Sequence, residues 1–235
     1  MMAERMGFFT DTTLCIGCKA CEVACKQWNR LLATSGGVSR MYGYSYDNTL
    51  NLNGFHWRHV KFIEQFNEER SEARWLMMSD ACKHCTQAPC IEACPEDAII
   101  RTEYDTVVIQ QELCKGYFAC AGACPFGVIE GDPDLRIARK CTLCYDRLKN
   151  GLIPACAKTC PTDSIQFGPI RELIPRAKAR VKQLHEQGET RAYLYGVDKD
   201  YLGGLGNFYL LVDQPEVYTL PQKTQLSIFT KINAR

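Results

Sequence analysis

Short apolar runs, broken by polar turns, set the pattern of the chain. Ala98-Ile99-Ile100 leads through the polar Glu103-Tyr104-Asp105-Thr106 to Val107-Val108-Ile109. Two β-rich runs about a turn predict a hairpin. WRHVKFIEQF (57–66) and ARWLMMSD (73–80), joined through a polar EERSE, predict a second strand pair, and RAYLYG (191–196) and GNFYLLV (206–212) two further short strands. PRAKARVKQLHEQ (175–187) predicts a helix with proline near its start, a solvated basic face and Gly188 just past its end. The glycine-bearing stretch 34–54 reads as a surface loop packed on a partner. The proline-punctuated tail 213–235 reads as disordered or laid along a partner.

No stretch approaches the roughly 20 apolar residues of a membrane span. MMAERMGFFTDTTLC has neither a signal-peptide pattern nor a twin arginine. The expectation is a chain with no span of its own, either cytoplasmic or exported with a signal-bearing partner subunit.

Composition adds one outlier. The 235 residues are 46% hydrophobic with a formal net charge of +1, enough for a packed core and no pointer to nucleic acid. Fifteen residues are cysteine. A disulfide framework fits poorly, because the count is odd, the chain is not a short secreted domain and the cysteines are tightly grouped.

The groups repeat one unit four times. Cys15, Cys18, Cys21 and Cys25 form C-x2-C-x2-C-x3-C, and Cys82, Cys85, Cys90 and Cys94 form C-x2-C-x4-C-x3-C-P. Cys114, Cys120 and Cys124-Pro125 follow, with Tyr117 where a second cysteine would stand. Cys141, Cys144, Cys156 and Cys160 form C-x2-C-x11-C-x3-C-P. Zinc sites need two C-x2-C pairs and have no use for the C-x3-C step. In iron–sulfur proteins three close cysteines grip three corners of a cluster, and the cysteine after x3 reaches the neighbouring cluster. The proline then turns the chain away.

The hairpin at 98–109 joins groups two and three into one ferredoxin-like half, roughly 78–133. Ser164–Gly168 after group four and Gly7–Thr10 before group one suggest a second half that is split. The expected fold is α+β: two bacterial-ferredoxin-like dicluster halves with pseudo-twofold symmetry, an insert hairpin and a C-terminal extension. The outer half combines 1–77 with 134–168, and 169–235 adds a helix, short strands and a partner-binding tail.

Nesting implies crossed ligation. Cluster one takes Cys15, Cys18, Cys21 and Cys160, and cluster two takes Cys141, Cys144, Cys156 and Cys25. Cluster three takes Cys82, Cys85, Cys90 and Cys124. Cluster four takes Cys114, Cys120 and Cys94, with Tyr117 at the vacant corner. The alternative pairs groups in sequence order, which the hairpin between groups two and three disfavours. Sites one to three suit [4Fe–4S]. Three thiolates suit [3Fe–4S] at site four, with the Tyr117 ring over the empty corner. A [4Fe–4S] cluster with an oxygen ligand and an empty pocket are the other readings of that site. A phenol is a hard ligand, and iron–sulfur corners are held by soft thiolates.

GFFTDTTLCIGCKACEVACKQWN together with PACAKTCPTDSIQFG resembles the iron–sulfur (β) subunits of molybdenum or tungsten enzymes of the dimethyl sulfoxide reductase group, over about residues 7–168. KQWN, GYSYDNT and WRHVKFIEQ are most similar to formate dehydrogenase β subunits. The resemblance implies a subunit without an active site, carrying electrons between a large molybdopterin catalytic subunit and a downstream acceptor or membrane cytochrome subunit. It also agrees with the crossed pairing. Subunits of dimethyl sulfoxide, polysulfide or thiosulfate reductases, or of a hydrogenase, share the spacings. A different class, an iron–sulfur sensor or scaffold, needs fewer sites. No nucleophile–base pair or phosphate-binding glycine loop accompanies the cysteines.

Each occupied site would carry a charge of about −2 and need N–H donors aimed at its sulfurs. Gly17, Gly116 and Gly122 are expected where backbone approaches closely. Lys19, Lys26, Lys83, Lys115 and Lys140 stand near the sites and read individually as exposed. His56 and His59 read as surface or interface residues and not as a metal pair.

Overall fold

The computed structural model describes residues 4–32, 46, 51–132 and 135–223. The elements, in chain order, are β1 (Met6–Asp11), α1 (Ala20–Trp28), β2 (Arg58–Phe66), β3 (Ala73–Ala81), α2 (Pro89–Glu92), β4 (Ile99–Arg101) and β5 (Val107–Ile109). Then come α3 (Ala119–Ala123), β6 (Glu130–Asp132), β7 (Ile137–Arg139), α4 (Tyr145–Lys149), α5 (Ala155–Lys158), β8 (Ile165–Pro169), α6 (Ile170–Glu186), β9 (Tyr193–Tyr195) and β10 (Asn207–Leu211). The content is mixed α and β, with helices of four or five residues wherever a C-x3-C step falls in groups two to four.

One sheet runs β8-β1-β10-β9. β1 is antiparallel to β8, with Phe8 opposite Phe167, and parallel to β10, with Phe9 opposite Phe208. Phe9 and Phe208 stack at 5.4 Å. A central strand has neighbours on both edges and is covered on both faces, so MGFFTD is apolar without alternation, and Phe8 and Phe9 are fully buried. Three separate hairpins complete the sheets: β2 with β3, β4 with β5 and β6 with β7. The expected boundary between residues 133 and 134 falls inside the β6/β7 hairpin and lies outside the described residues.

Three expectations change. α6 begins at Ile170, five residues before Pro175, which sits inside the helix. Ile170, Leu173, Ala177 and Leu184 form its buried stripe, and that packing outweighs the hydrogen bond that proline removes. Gly188 (φ +96°) does follow the helix end, where the Glu189 N–H returns to the Leu184 carbonyl at 2.9 Å. The second correction concerns the tail. Tyr218 and Leu220 are buried in the chain's own core, so 213–220 packs on this chain instead of hanging free. The remainder, from 224, lies outside the described residues, as does most of the 34–54 loop. Third, Gly122 has open space where a Cβ would be and needs no close approach.

Candidate metal centres

All fifteen cysteines are free thiols. They gather in sets drawn from different groups. Cys15, Cys18, Cys21 and Cys160 line one cavity (site one). Cys82, Cys85, Cys90 and Cys124 line another (site three). Cys94, Cys114 and Cys120 line a third with Tyr117 (site four). Cys25 has Cys141, Cys156 and Cys144 as its thiol neighbours (site two). Among the described residues, no three His, Cys, Asp or Glu side chains converge tightly enough to hold a single metal ion. Thiols that ring a cavity fit a multi-iron group bridged by inorganic sulfide better than one tetrahedral ion.

The loops follow a common backbone rule. The residue two beyond the opening cysteine has positive φ in every group: Gly17 (+68°), His84 (+44°), Gly116 (+72°) and Leu143 (+58°). Such steps turn N–H groups into a concave nest suited to negative charge. The Leu143 N–H donates to Cys141 Sγ at 3.4 Å, and the Ala138 N–H to Cys114 Sγ at 3.3 Å. After each Cys-Pro the chain closes a turn through the N–H of the third residue on. Asp97, Gly127 and Asp163 donate to the carbonyls of Cys94, Cys124 and Cys160 at 3.4, 3.1 and 3.4 Å. Proline at the second position presets that turn.

Burial pushes the thiols up. Cys21, Cys90 and Cys144 rise to about 12 and Cys141 to about 11, chiefly because buried thiolates lose hydration. Cys25 and Cys85 rise well above the ordinary range for the same reason. Thiols this unwilling to ionise in a bare pocket need a cationic core to hold them as thiolates. Smaller contributions come from thiols of the next set. Cys156 raises Cys21, Cys82 raises Cys141, and Cys120 raises Cys90. The sets therefore adjoin in the order one, two, three, four.

Both end sets reach the surface. Cys18 is exposed at site one. Tyr117 lines site four yet is 65% exposed, so its ring stands at the rim of the cavity and is not buried in it.

The buried cations were missed by sequence reasoning. Lys83 and Lys140 are 1% and 2% exposed, against the expectation of exposed lysines. Lys83 Nζ pairs with Asp80 and donates to the Ala81 carbonyl at 2.7 Å, and Asp80 also pairs with Lys61 at 3.3 Å. Lys140 Nζ donates to the carbonyls of Val107 and Cys141. Arg58 is equally buried. Lys115 is exposed as expected, and Lys19 and Lys26 are half-buried. His59 is buried as well, not a surface residue, and His56 meets Asn53 Oδ1 at 3.2 Å. A lysine beside a cysteine motif looks like any surface lysine, and nothing local signals its burial.

Loops of this repeating form, ringed by thiols and lined with N–H donors, define an iron–sulfur electron carrier. Profiles of the 4Fe-4S dicluster domain match residues 14–98 and 73–170. The formate dehydrogenase-O iron-sulfur subunit of Escherichia coli K12 is 38% identical over 228 residues, covering 95% of this chain and 73% of that one. Formate dehydrogenase 2 subunit beta (cytochrome c-553) of Nitratidesulfovibrio vulgaris Hildenborough is 31% identical over 219 residues, 90% of this chain and 95% of that one. A probable anaerobic dimethyl sulfoxide reductase chain of E. coli K12 is 34% identical over 172 residues, 73% of this chain and 77% of that one. The chain belongs to the family of iron–sulfur electron-transfer subunits of molybdoenzymes. Its role is to pass electrons, not to catalyse a reaction by itself. Among the described residues no helix is long and apolar enough to cross a membrane.

Proposed function

We propose that this chain is the electron-transfer subunit of a formate dehydrogenase, joined to a large molybdopterin catalytic subunit and delivering electrons to a downstream acceptor or membrane cytochrome subunit. It holds four clusters, with [4Fe–4S] at sites one to three and [3Fe–4S] at site four, in two pseudo-twofold-related halves with crossed ligation. Cys160 completes site one, Cys25 site two and Cys124 site three, while Cys94 joins Cys114 and Cys120 at site four.

The observation that carries this reading is the contiguity of the thiol sets. Cys21 adjoins Cys156, Cys141 adjoins Cys82, and Cys90 adjoins Cys120. Bound clusters supply one-electron reduction and oxidation. The chain's own residues hold them as thiolates, aim N–H groups at the sulfurs and exclude water. Sites one and four then form the two ends, and the site short of one thiolate takes the acceptor side. The names of the E. coli and N. vulgaris relatives support formate as the substrate of the complex.

The test uses the purified complex. Formate should reduce a viologen-type dye through the complex, whereas the isolated, cluster-loaded subunit should leave formate untouched. Formate turnover by the isolated subunit would contradict the reading. Response to dimethyl sulfoxide and not to formate would move the complex to the reductase side of the family, where the third relative stands.

A further inference from the structure

Arg58 opens β2, and its register partner on β3 is Ala81. Its diagonal neighbour on the same face is Ser79. Arg58 Nη1 donates to Ser79 Oγ at 2.9 Å, and Ser79 Oγ lies 3.2 Å from Cys21 Sγ of site one. The guanidinium also sits over the Phe8 ring, 5.0 Å from its centroid. The side chain is 2% exposed, and its Nε and Nη2 are buried with no hydrogen-bond partner.

That is an expensive arrangement. A buried cation without a counter-charge is strongly disfavoured, because it has lost its hydration, and the one nitrogen that is satisfied meets only a neutral hydroxyl. Lys83 and Lys140, buried to the same degree, have Asp80 and backbone carbonyls. The groups whose negative charge would hold Arg58 charged are first the thiols of Cys156, Cys21 and Cys141, and after them the buried Tyr209 phenol. Of the thiols, one belongs to site one and two to site two.

We propose that Arg58 is the counter-charge shared by the clusters of sites one and two and, with Ser79, sets their reduction potentials. This rests on the four-cluster reading above. A ligated cluster is net negative, and reduction adds one more electron. A fixed desolvated cation therefore stabilises the reduced form and raises the potential. Ser79 adds a second element at site one alone. By accepting from Arg58 it turns its O–H toward the Cys21 sulfur, and a donor on a cluster thiolate also raises the potential.

The experiment is potentiometric titration of the assembled complex, followed by electron paramagnetic resonance. Signals of sites one and two are assigned through Cys18→Ser and Cys144→Ser. Arg58→Gln should make the reduced-to-oxidised ratio of both clusters at fixed potential fall at least tenfold, a 59 mV drop for one electron, with sites three and four unmoved. Arg58→Lys should restore most of the shift. Ser79→Ala should lower site one and leave site two. Unmoved potentials at sites one and two, or equal shifts at all four, overturn the proposal. Should Arg58→Gln lose its clusters, Ser79→Ala decides, and an unmoved site-one potential is then fatal. Fewer than four clusters in the unaltered complex would refute the parent reading instead.

Discussion

Cys160 shares a cavity with Cys15, although the two bracket the whole cysteine-bearing part of the chain. The link is made by β8, which follows Cys160 and lies antiparallel to β1, which precedes Cys15, with Thr10 opposite Ile165. The Asp11 N–H adds a bond to the Ser164 carbonyl at 2.8 Å. The first and last elements of the cysteine region are thereby clamped side by side.

Cys160→Ala should therefore damage the cluster of Cys15, Cys18 and Cys21 and spare that of Cys141, Cys144 and Cys156. Mössbauer spectra of the variant complex should show one altered four-iron centre. Loss at the set containing Cys156, its neighbour in sequence, would mean that ligation follows sequence order.

Much of this arrangement was legible beforehand. Group spacing and one short hairpin led to the expectation that cysteines of different groups share a cavity, because a hairpin of three-residue strands can only join neighbours. The paired strands at 58–66 and 73–81 were legible for the same reason, as polarity changes at the turn. What escaped was set by distant partners. β10 enters the sheet parallel to β1 from the far end of the chain, and no local pattern announces that. α6 runs through Pro175 because Leu173 and Ala177 pack against the core on either side of it. Arg58 is buried against Ser79 and Phe8, Lys83 is covered by the Phe126 and Tyr209 rings, and Lys140 reaches the Val107 carbonyl, so distant groups complete the burial that near neighbours begin.

The positive-φ rule in the loops separates two glycines that look alike in sequence. Gly116 has φ +72°, and a Cβ there would lie 2.3 Å from the Arg136 carbonyl oxygen, a backbone atom that cannot step aside. Gly122 has nothing within 4 Å. Gly116→Ala should cost about 1–3 kcal/mol and lower iron content at site four, whereas Gly122→Ala should leave both unchanged. Thermal denaturation with iron analysis of the two variants checks this. Equal behaviour would show that the turn at Gly116 is not constrained as its geometry implies.

Tyr117 follows Gly116, at the position where group one has Cys18 and group four has Cys144. Its ring is 65% exposed at the rim of a cavity whose other walls include Cys94, Cys114 and Cys120. A phenol oxygen is a poor match for an iron corner, which soft thiolate holds. At 65% exposure the ring is also not pressed into the cavity. The three thiols should consequently hold three irons. The oxidised complex should show the near-isotropic electron paramagnetic resonance signal of a three-iron cluster, at a higher potential than the other sites. Tyr117→Cys should abolish that signal and raise the iron content by one atom per chain, because the backbone already turns position 117 into the cavity lining. A four-iron cluster at this site in the unaltered protein, with the Tyr117 oxygen bound, would sink the three-iron assignment. So would a Tyr117→Cys protein that keeps the three-iron signal.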